Sequence, residues 1–240
     1  MSFFQFPNLA AFSDIQHGIF TRNGGFSKRH FQSLNVSFGV GDNDNAVKQN
    51  RAMISRCMDD KPLIFAEQVH GTAVAQIRKV SDMPRADAMV TDMPGLMLVI
   101  QVADCQALLL CDPLRRVVAN IHSGWRGSIG NIIAHTVSAM TRDYGCNPRD
   151  LVAGIGPSLG PCCAEFIHYK NELPEILWKY KDNRDHFDFW QISRDQLCEA
   201  GVPNENISSS GLCTRCRSDL FFSYRGEKTT GRFGAVIGIR

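Results

Sequence analysis

Three apolar runs of strand length follow one another in the middle of the chain: Leu96-Met-Leu-Val-Ile-Gln-Val-Ala103, Ala107-Leu-Leu-Leu-Cys111 and Arg116-Val-Val-Ala-Asn-Ile-His122. A half-solvated strand carries a polar residue at every second position, whereas these runs are almost continuously apolar, which marks strands buried on both faces. They predict a buried sheet with a layer on each side. One covering helix is legible directly after them. Ile129, Ile132, Ile133, Val137 and Met140 recur at helical spacing, so a helix is expected from about Ser128 to Arg142. The longest apolar stretch, Leu96 to Ala103, is far shorter than the ~20 residues that span a bilayer, and no membrane is expected.

The flanking segments mix strand and helix signals. Thr21-Arg-Asn-Gly-Gly-Phe-Ser27 reads as strand, turn, strand, and Asp42-Asn-Asp-Asn45 as a turn starting a helix over Ala46 to Met58. A strand is expected at Leu151 to Gly156, helices at Glu172 to Tyr180 and Ile192 to Ala200, and a terminal strand at Phe233 to Ile239. Gly154-Ile-Gly156-Pro-Ser-Leu-Gly160 reads as the turn that ends its strand. Without strict β-α-β alternation, a repeat or a long linker, the 240 residues are expected to form one α+β domain of mixed sheets flanked by helices.

Lys plus Arg number 26 and Asp plus Glu 24, with no basic run, so nucleic acid is not an expected partner. The nine cysteines and an N-terminus without a basic region or small-residue cleavage site read as reduced thiols in a cytoplasmic protein.

Polar residues with chemical potential stand where the apolar runs meet loops. His70 lies in Glu67-Gln-Val-His-Gly71, Cys105 in Ala103-Asp-Cys-Gln106, and His122 in Asn120-Ile-His-Ser-Gly-Trp-Arg-Gly127. Two imidazoles and a thiolate suit zinc, and three ligands leave the open position a catalytic zinc needs. Their separations are too long for a local zinc knuckle, so a buried thiol and two structural histidines is the plainer reading from spacing alone. Cys213-Thr-Arg-Cys216 has zinc-ribbon spacing. Its only companion pair is Cys162-Cys163, and adjacent cysteines are poor partners, so unpaired thiols are expected there. Arg126, before the expected helix, and Arg51 are candidate anion contacts, each weighed against a surface ion pair. The zinc-deaminase signature, His-Glu-x-x-His and Gly-x-Ser-x-Gly are all absent.

Taken in order, His17 with Thr21-Arg-Asn-Gly-Gly-Phe-Ser27, Gln68-Val-His-Gly71, Ala86-Asp-Ala88 with Thr91-Asp92, Ala103-Asp-Cys105 and His122-Ser-Gly-Trp-Arg-Gly127 resemble the YfiH family. Gly156-Pro-Ser-Leu-Gly160, Cys213-Thr214, Phe222-Ser-Tyr-Arg225 and Gly231-Arg232 complete the resemblance over nearly the whole chain. It implies a fold similar to a toxin deamidase with a Cys–His site, and a metal site at His70, Cys105 and His122, with zinc expected and copper as the alternative ion. The implied activity is phosphorolysis of adenosine, inosine and S-methyl-5'-thioadenosine, with adenosine deamination at the same site. Purine nucleoside and phosphate are then the partners, Arg51 and Arg126 their expected anion contacts, and a homo-oligomer is compatible. Competing readings are an amidase acting on peptidoglycan precursors through Cys105 and His122, a copper polyphenol oxidase, and a purine- or metal-binding module without turnover. Seven scattered histidines are too few for a multicopper oxidase. Gln106 departs from the proline expected at its position.

Overall fold

The computed structural model describes all 240 residues. Strands β1 (Phe3–Phe4), β2 (Ile15–Phe20), β3 (Leu63–Phe65), β4 (Val74–Gln76) and β5 (Ala88–Thr91) precede the three apolar runs. The runs become β6 (Met97–Val102), β7 (Gln106–Asp112) and β8 (Val117–Ser123), followed by β9 (Val152–Ile155), β10 (Ile207–Ser209) and β11 (Phe233–Ile239). The sequence predicts one sheet for these three runs, but they are divided between two. β6 belongs to a five-stranded sheet ordered β1-β2-β11-β6-β3, and β7 and β8 to a six-stranded sheet ordered β10-β9-β7-β8-β5-β4. Both sheets are mixed: β3 runs parallel to β6, β4 to β5 and β10 to β9, and every other pairing is antiparallel.

The sheets pack face to face, which explains the apolar runs residue by residue. On β6, Leu98, Ile100 and Val102 enter the core between the sheets while Met97 and Val99 face outward. On β7, Ala107, Leu109 and Cys111 point between the sheets while Leu108 and Leu110 face the other way. Each strand is buried twice because helices cover the outer faces. Helix α2 (Asp44–Cys57) lays Ile54 over Met97 and Val99, and α4 (Ile132–Tyr144) lays Ile133, Val137 and Met140 over Leu108 and Leu110. Asn120 is the polar exception in the inner core, its carboxamide donating to Leu98 O at 3.0 Å and Ala235 O at 2.9 Å across the sheets. No helix is long and apolar enough to cross a membrane.

The short α1 (Pro7–Ala10) and α5 (Tyr169–Glu172) and the helix α6 (Phe189–Glu199), which packs on α4, complete the layers with α7 (Tyr224–Glu227). The helix expected at Ser128 to Arg142 is two: α3 (Trp125–Ile129) ends at Gly130, and Asn131, left-handed at φ 51°, caps α4 by accepting from Ala134 N–H. Pro174 likewise divides the expected Glu172–Tyr180 helix, leaving α5 and a 3-10 turn at Glu175–Tyr180. The segment Thr21–Ser27 holds no second strand. After β2 it is a loop gathered by Asn50, which accepts from Phe26 N–H and donates to Ser27 Oγ, Ser33 O and Asn35 O.

Candidate functional site

Strand periodicity aims three side chains at one spot. Ala107 pairs with His122 and Ala88 with Ile121, so Cys105 before β7, His122 on β8 and Asp87 before β5 all share the inward parity of their strands. His70 comes from the loop after β3, with its backbone at φ 60°. The donor atoms of His70, Cys105 and His122 lie within 4.8 Å of one another, and Cys105 Sγ is 3.9 Å from His70 Nε2. The two imidazoles meet edge to face, with centroids 4.8 Å apart.

Asp87 organises both histidines. His122 Nδ1 sits 2.7 Å from Asp87 Oδ1, and the same carboxylate accepts the N–H groups of Val69, His70 and Gly71 at 3.2, 2.9 and 2.7 Å. Burial would push this carboxyl up, but His122 and the Gly71 and His70 amides outweigh it and hold the pKa below the usual range. An Asp87-bound Nδ1–H leaves the Nε2 lone pair of His122 free for a ligand, the usual support of a metal-binding imidazole. Gly124 keeps the spot open: a Cβ there would stand 3.0 Å from His70 Cδ2 and 3.2 Å from Cys105 Sγ. The donor set, its outer-sphere carboxylate and this clearance fit a three-ligand zinc site with one position open.

The group lies in a cavity of about 850 Å³. Arg51 lines it, held by Nε donation to Val36 O at 2.8 Å and by the rings of Phe38 and Phe65, which lie 4.3 and 3.5 Å from its guanidinium carbon. Burial lowers its pKa to about 10, so it keeps its charge at neutral pH. Arg126 also lines the cavity, exposed and stacked on Trp125 at 4.2 Å. Arg126 is the second residue of the five-residue α3, not the residue ahead of a long helix that the sequence predicts.

Sequence reasoning missed several lining residues. Arg232, half-buried, is held by Nη1 donation to Thr230 O and Gly231 O, and neither it nor Arg51 has a carboxylate partner. Asp104, left-handed at φ 83° beside Cys105, accepts from Thr214 Oγ1, Ser223 Oγ and Arg225 N–H. The usable signal was a carboxylate in apolar company, as in Ala86-Asp-Ala88 and Ala103-Asp-Cys105, because such a group must find partners when buried. Gln106, in place of the expected proline, is buried and ties β7 to α6: it donates to Phe189 O and accepts from Ser193 Oγ.

The model of the multi-copper polyphenol oxidoreductase laccase family matches residues 16–240. YlmD of Geobacillus stearothermophilus, named a purine nucleoside phosphorylase, is 34% identical over 253 residues, covering 95% of this chain and 92% of its own. YfiH of Escherichia coli, also named a purine nucleoside phosphorylase, is 32% identical over 228 residues, with 90% of each chain covered. The chain belongs to the YfiH family. Its fold agrees: the crystal structure of the Geobacillus YlmD superposes with a TM-score of 0.88, covering 98% of this chain and 94% of that one. The Bacillus licheniformis YfiH structure superposes with a TM-score of 0.87, at 31% identity and with 94% and 93% covered.

Proposed function

We propose that this protein is a zinc-assisted purine nucleoside phosphorylase, converting adenosine, inosine and S-methyl-5'-thioadenosine to free base and sugar 1-phosphate, with adenosine deamination as a second reaction of the site. One observation carries the reading. The His70, Cys105 and His122 donors share a cavity with two guanidinium groups, Arg51 and Arg232, that lack carboxylate partners. A half-buried unpaired cation is costly unless an anion completes it, and phosphate is the anion this reaction consumes. The phosphorylase names of the relatives point the same way.

Phosphorolysis forms a bond from an oxygen of hydrogen phosphate to the anomeric carbon as the bond to the purine nitrogen breaks, and the proton of the hydrogen phosphate ends on the departing base. Arg51 and Arg232 would hold the phosphate, with Arg126 at the rim. Trp125, Phe166 and Phe38 offer flat apolar walls for a purine, Trp125 and Phe166 standing edge to face at 6.3 Å. Zinc on His70, Cys105 and His122 would supply Lewis acidity at its open position.

A second reading has its own observation. Cys105, His122 and Asp87 form a thiol, imidazole and carboxylate series. Burial pushes Cys105 up, but His122 and His70 bring it down to about 6. Burial pulls His122 down, yet Cys105 and Asp87 raise it to about 9. A thiolate beside an imidazolium is the resting state of a cysteine nucleophile and would serve amide hydrolysis in a metal-free chain.

Incubating the protein with adenosine, with and without phosphate, and resolving the products by chromatography separates these chemistries. Adenine and ribose 1-phosphate, formed only with phosphate, is the expected result, with inosine as the slower product in either case. Intact adenosine alongside cleavage of a peptidoglycan-precursor amide would replace the phosphorylase reading with the hydrolase.

A further inference from the structure

Four thiols outside the catalytic cavity's donor set gather on two neighbouring loops. Cys162 and Cys163 sit in the turn that begins at Gly160, closed by Cys163 N–H to Gly160 O at 2.9 Å. Cys213 and Cys216 sit in a second turn, closed by Arg217 N–H to Cys213 O at 2.9 Å. Backbone bonds hold the loops side by side: Ser158 N–H donates to Leu212 O, and Thr214 N–H donates to Ser158 O. The four Sγ atoms lie within 4.8 Å of one another, with Cys216 Sγ 3.5 Å from Cys162 Sγ and 3.6 Å from Cys163 Sγ. In a tetrahedron with zinc–sulfur bonds of ~2.3 Å, neighbouring sulfurs stand about 3.8 Å apart. The thiols are therefore already near the spacing that one ion would impose.

The local chain lets the two turns close on each other. Gly160 allows that approach, since a Cβ there would stand 3.1 Å from Cys213 Cβ and closer still to the Trp190 ring. Adjacent cysteines on a strand would point to opposite faces, but a turn lets Cys162 and Cys163 both reach Cys216.

We propose that Cys162, Cys163, Cys213 and Cys216 bind a structural zinc ion in a closed four-thiolate site, distinct from the site at His70, Cys105 and His122. Four protein ligands leave no open position, so this ion takes no part in the chemistry. Its place in the fold is a staple behind the cavity wall. Thr214, within the second turn, donates to Asp104 Oδ1 at 2.7 Å, and Leu159 N–H donates to Asp104 O at 2.8 Å, immediately before Cys105. Arg225, which lines the cavity, reaches Cys163 O and Glu165 O.

The test counts zinc by elemental analysis after dialysis against EDTA, in the intact protein and in Cys105→Ala/His122→Ala. About two zinc per chain are expected in the first and about one in the second. X-ray absorption of the double variant should show a shell of four sulfurs at ~2.3 Å. Cys162→Ser/Cys216→Ser should lose the same equivalent. If that variant does not fold, the sulfur shell of Cys105→Ala/His122→Ala decides alone. A double variant free of zinc, a shell containing nitrogen or oxygen, or a mass for the intact protein that reveals a disulfide among these cysteines would each overturn the proposal.

Discussion

Asp87 shows how one buried side chain sets a site that looks, in sequence, like three unrelated residues. Its carboxylate orients the His122 ring and gathers the amides of Val69, His70 and Gly71, so it fixes two of the three donors. Asp87→Asn keeps the shape but removes the charge and one acceptor. Zinc affinity is expected to fall about tenfold to a hundredfold, measured by competition with a chromophoric chelator. Unchanged affinity would mean that the backbone alone positions the histidines. The arginines divide by their surroundings. Arg51→Ala should raise the Michaelis constant for phosphate by roughly tenfold or more and that for nucleoside far less, because a charge-assisted hydrogen bond to an anion is lost. Arg126→Ala, at an exposed position, should do less. Equal rises in both constants for Arg51→Ala would assign it to holding α2 against Val36 O. His70, Cys105 and His122 were legible as candidate donors where apolar runs meet loops, Cys105 and His122 at the ends of β7 and β8 and His70 in the loop after β3. Arg232 was not, because a lone arginine between glycine and phenylalanine carries no mark of burial.

Elements were legible where their periodicity was undisturbed and misread where a single residue interrupts it. β11 falls on the expected residues, and α2 starts within the expected turn because Asn43 caps it by accepting from Ala46 N–H. The apolar spacing after Gly127 continues through Gly130 and Asn131, and periodicity alone could not see the break. The break has a local cause: Asn tolerates the left-handed backbone and its side chain restarts the helix. Asn131→Ala loses the cap and strains the backbone, so urea unfolding should show a loss of about 1–2 kcal/mol. Asn131→Gly, which keeps the backbone relaxed, should cost well under 1 kcal/mol. Equal losses would mean that α4 is held by packing on β7 and β8, not by its cap.

Across the molecule, the core between the sheets buries polar groups that tie the layers together and make stability depend on pH. His17 on β2 is fully buried, with Nε2 accepting Phe6 N–H at 2.8 Å. Burial lowers its pKa from 6.5 to about 4. Below pH 6.5 the unfolded chain therefore takes up a proton that the folded chain refuses, and stability falls as pH drops until about 4, below which the loss is complete. The full loss is on the order of 3 kcal/mol. Urea midpoints at pH 7.5 and 5 should differ more in the wild type than in His17→Leu, and identical differences would place the acid sensitivity elsewhere. The amino-acid sequence by itself determined β6, β7, β8, β9 and β11, the burial of the three middle strands on both faces, and the chemistry of the candidate donors, because hydrophobic period and residue chemistry are local properties. It could not assign β6 to a different sheet from β7 and β8, because both sheets bury their strands twice and leave the same continuous apolar pattern. Only the tertiary structure brought Asp87 under two histidines, Arg232 into the same cavity as Arg51, and Cys162 and Cys163 against Cys216. Those meetings depend on strand register and on which loops lie side by side, and such long-range contacts leave no periodic trace along the chain.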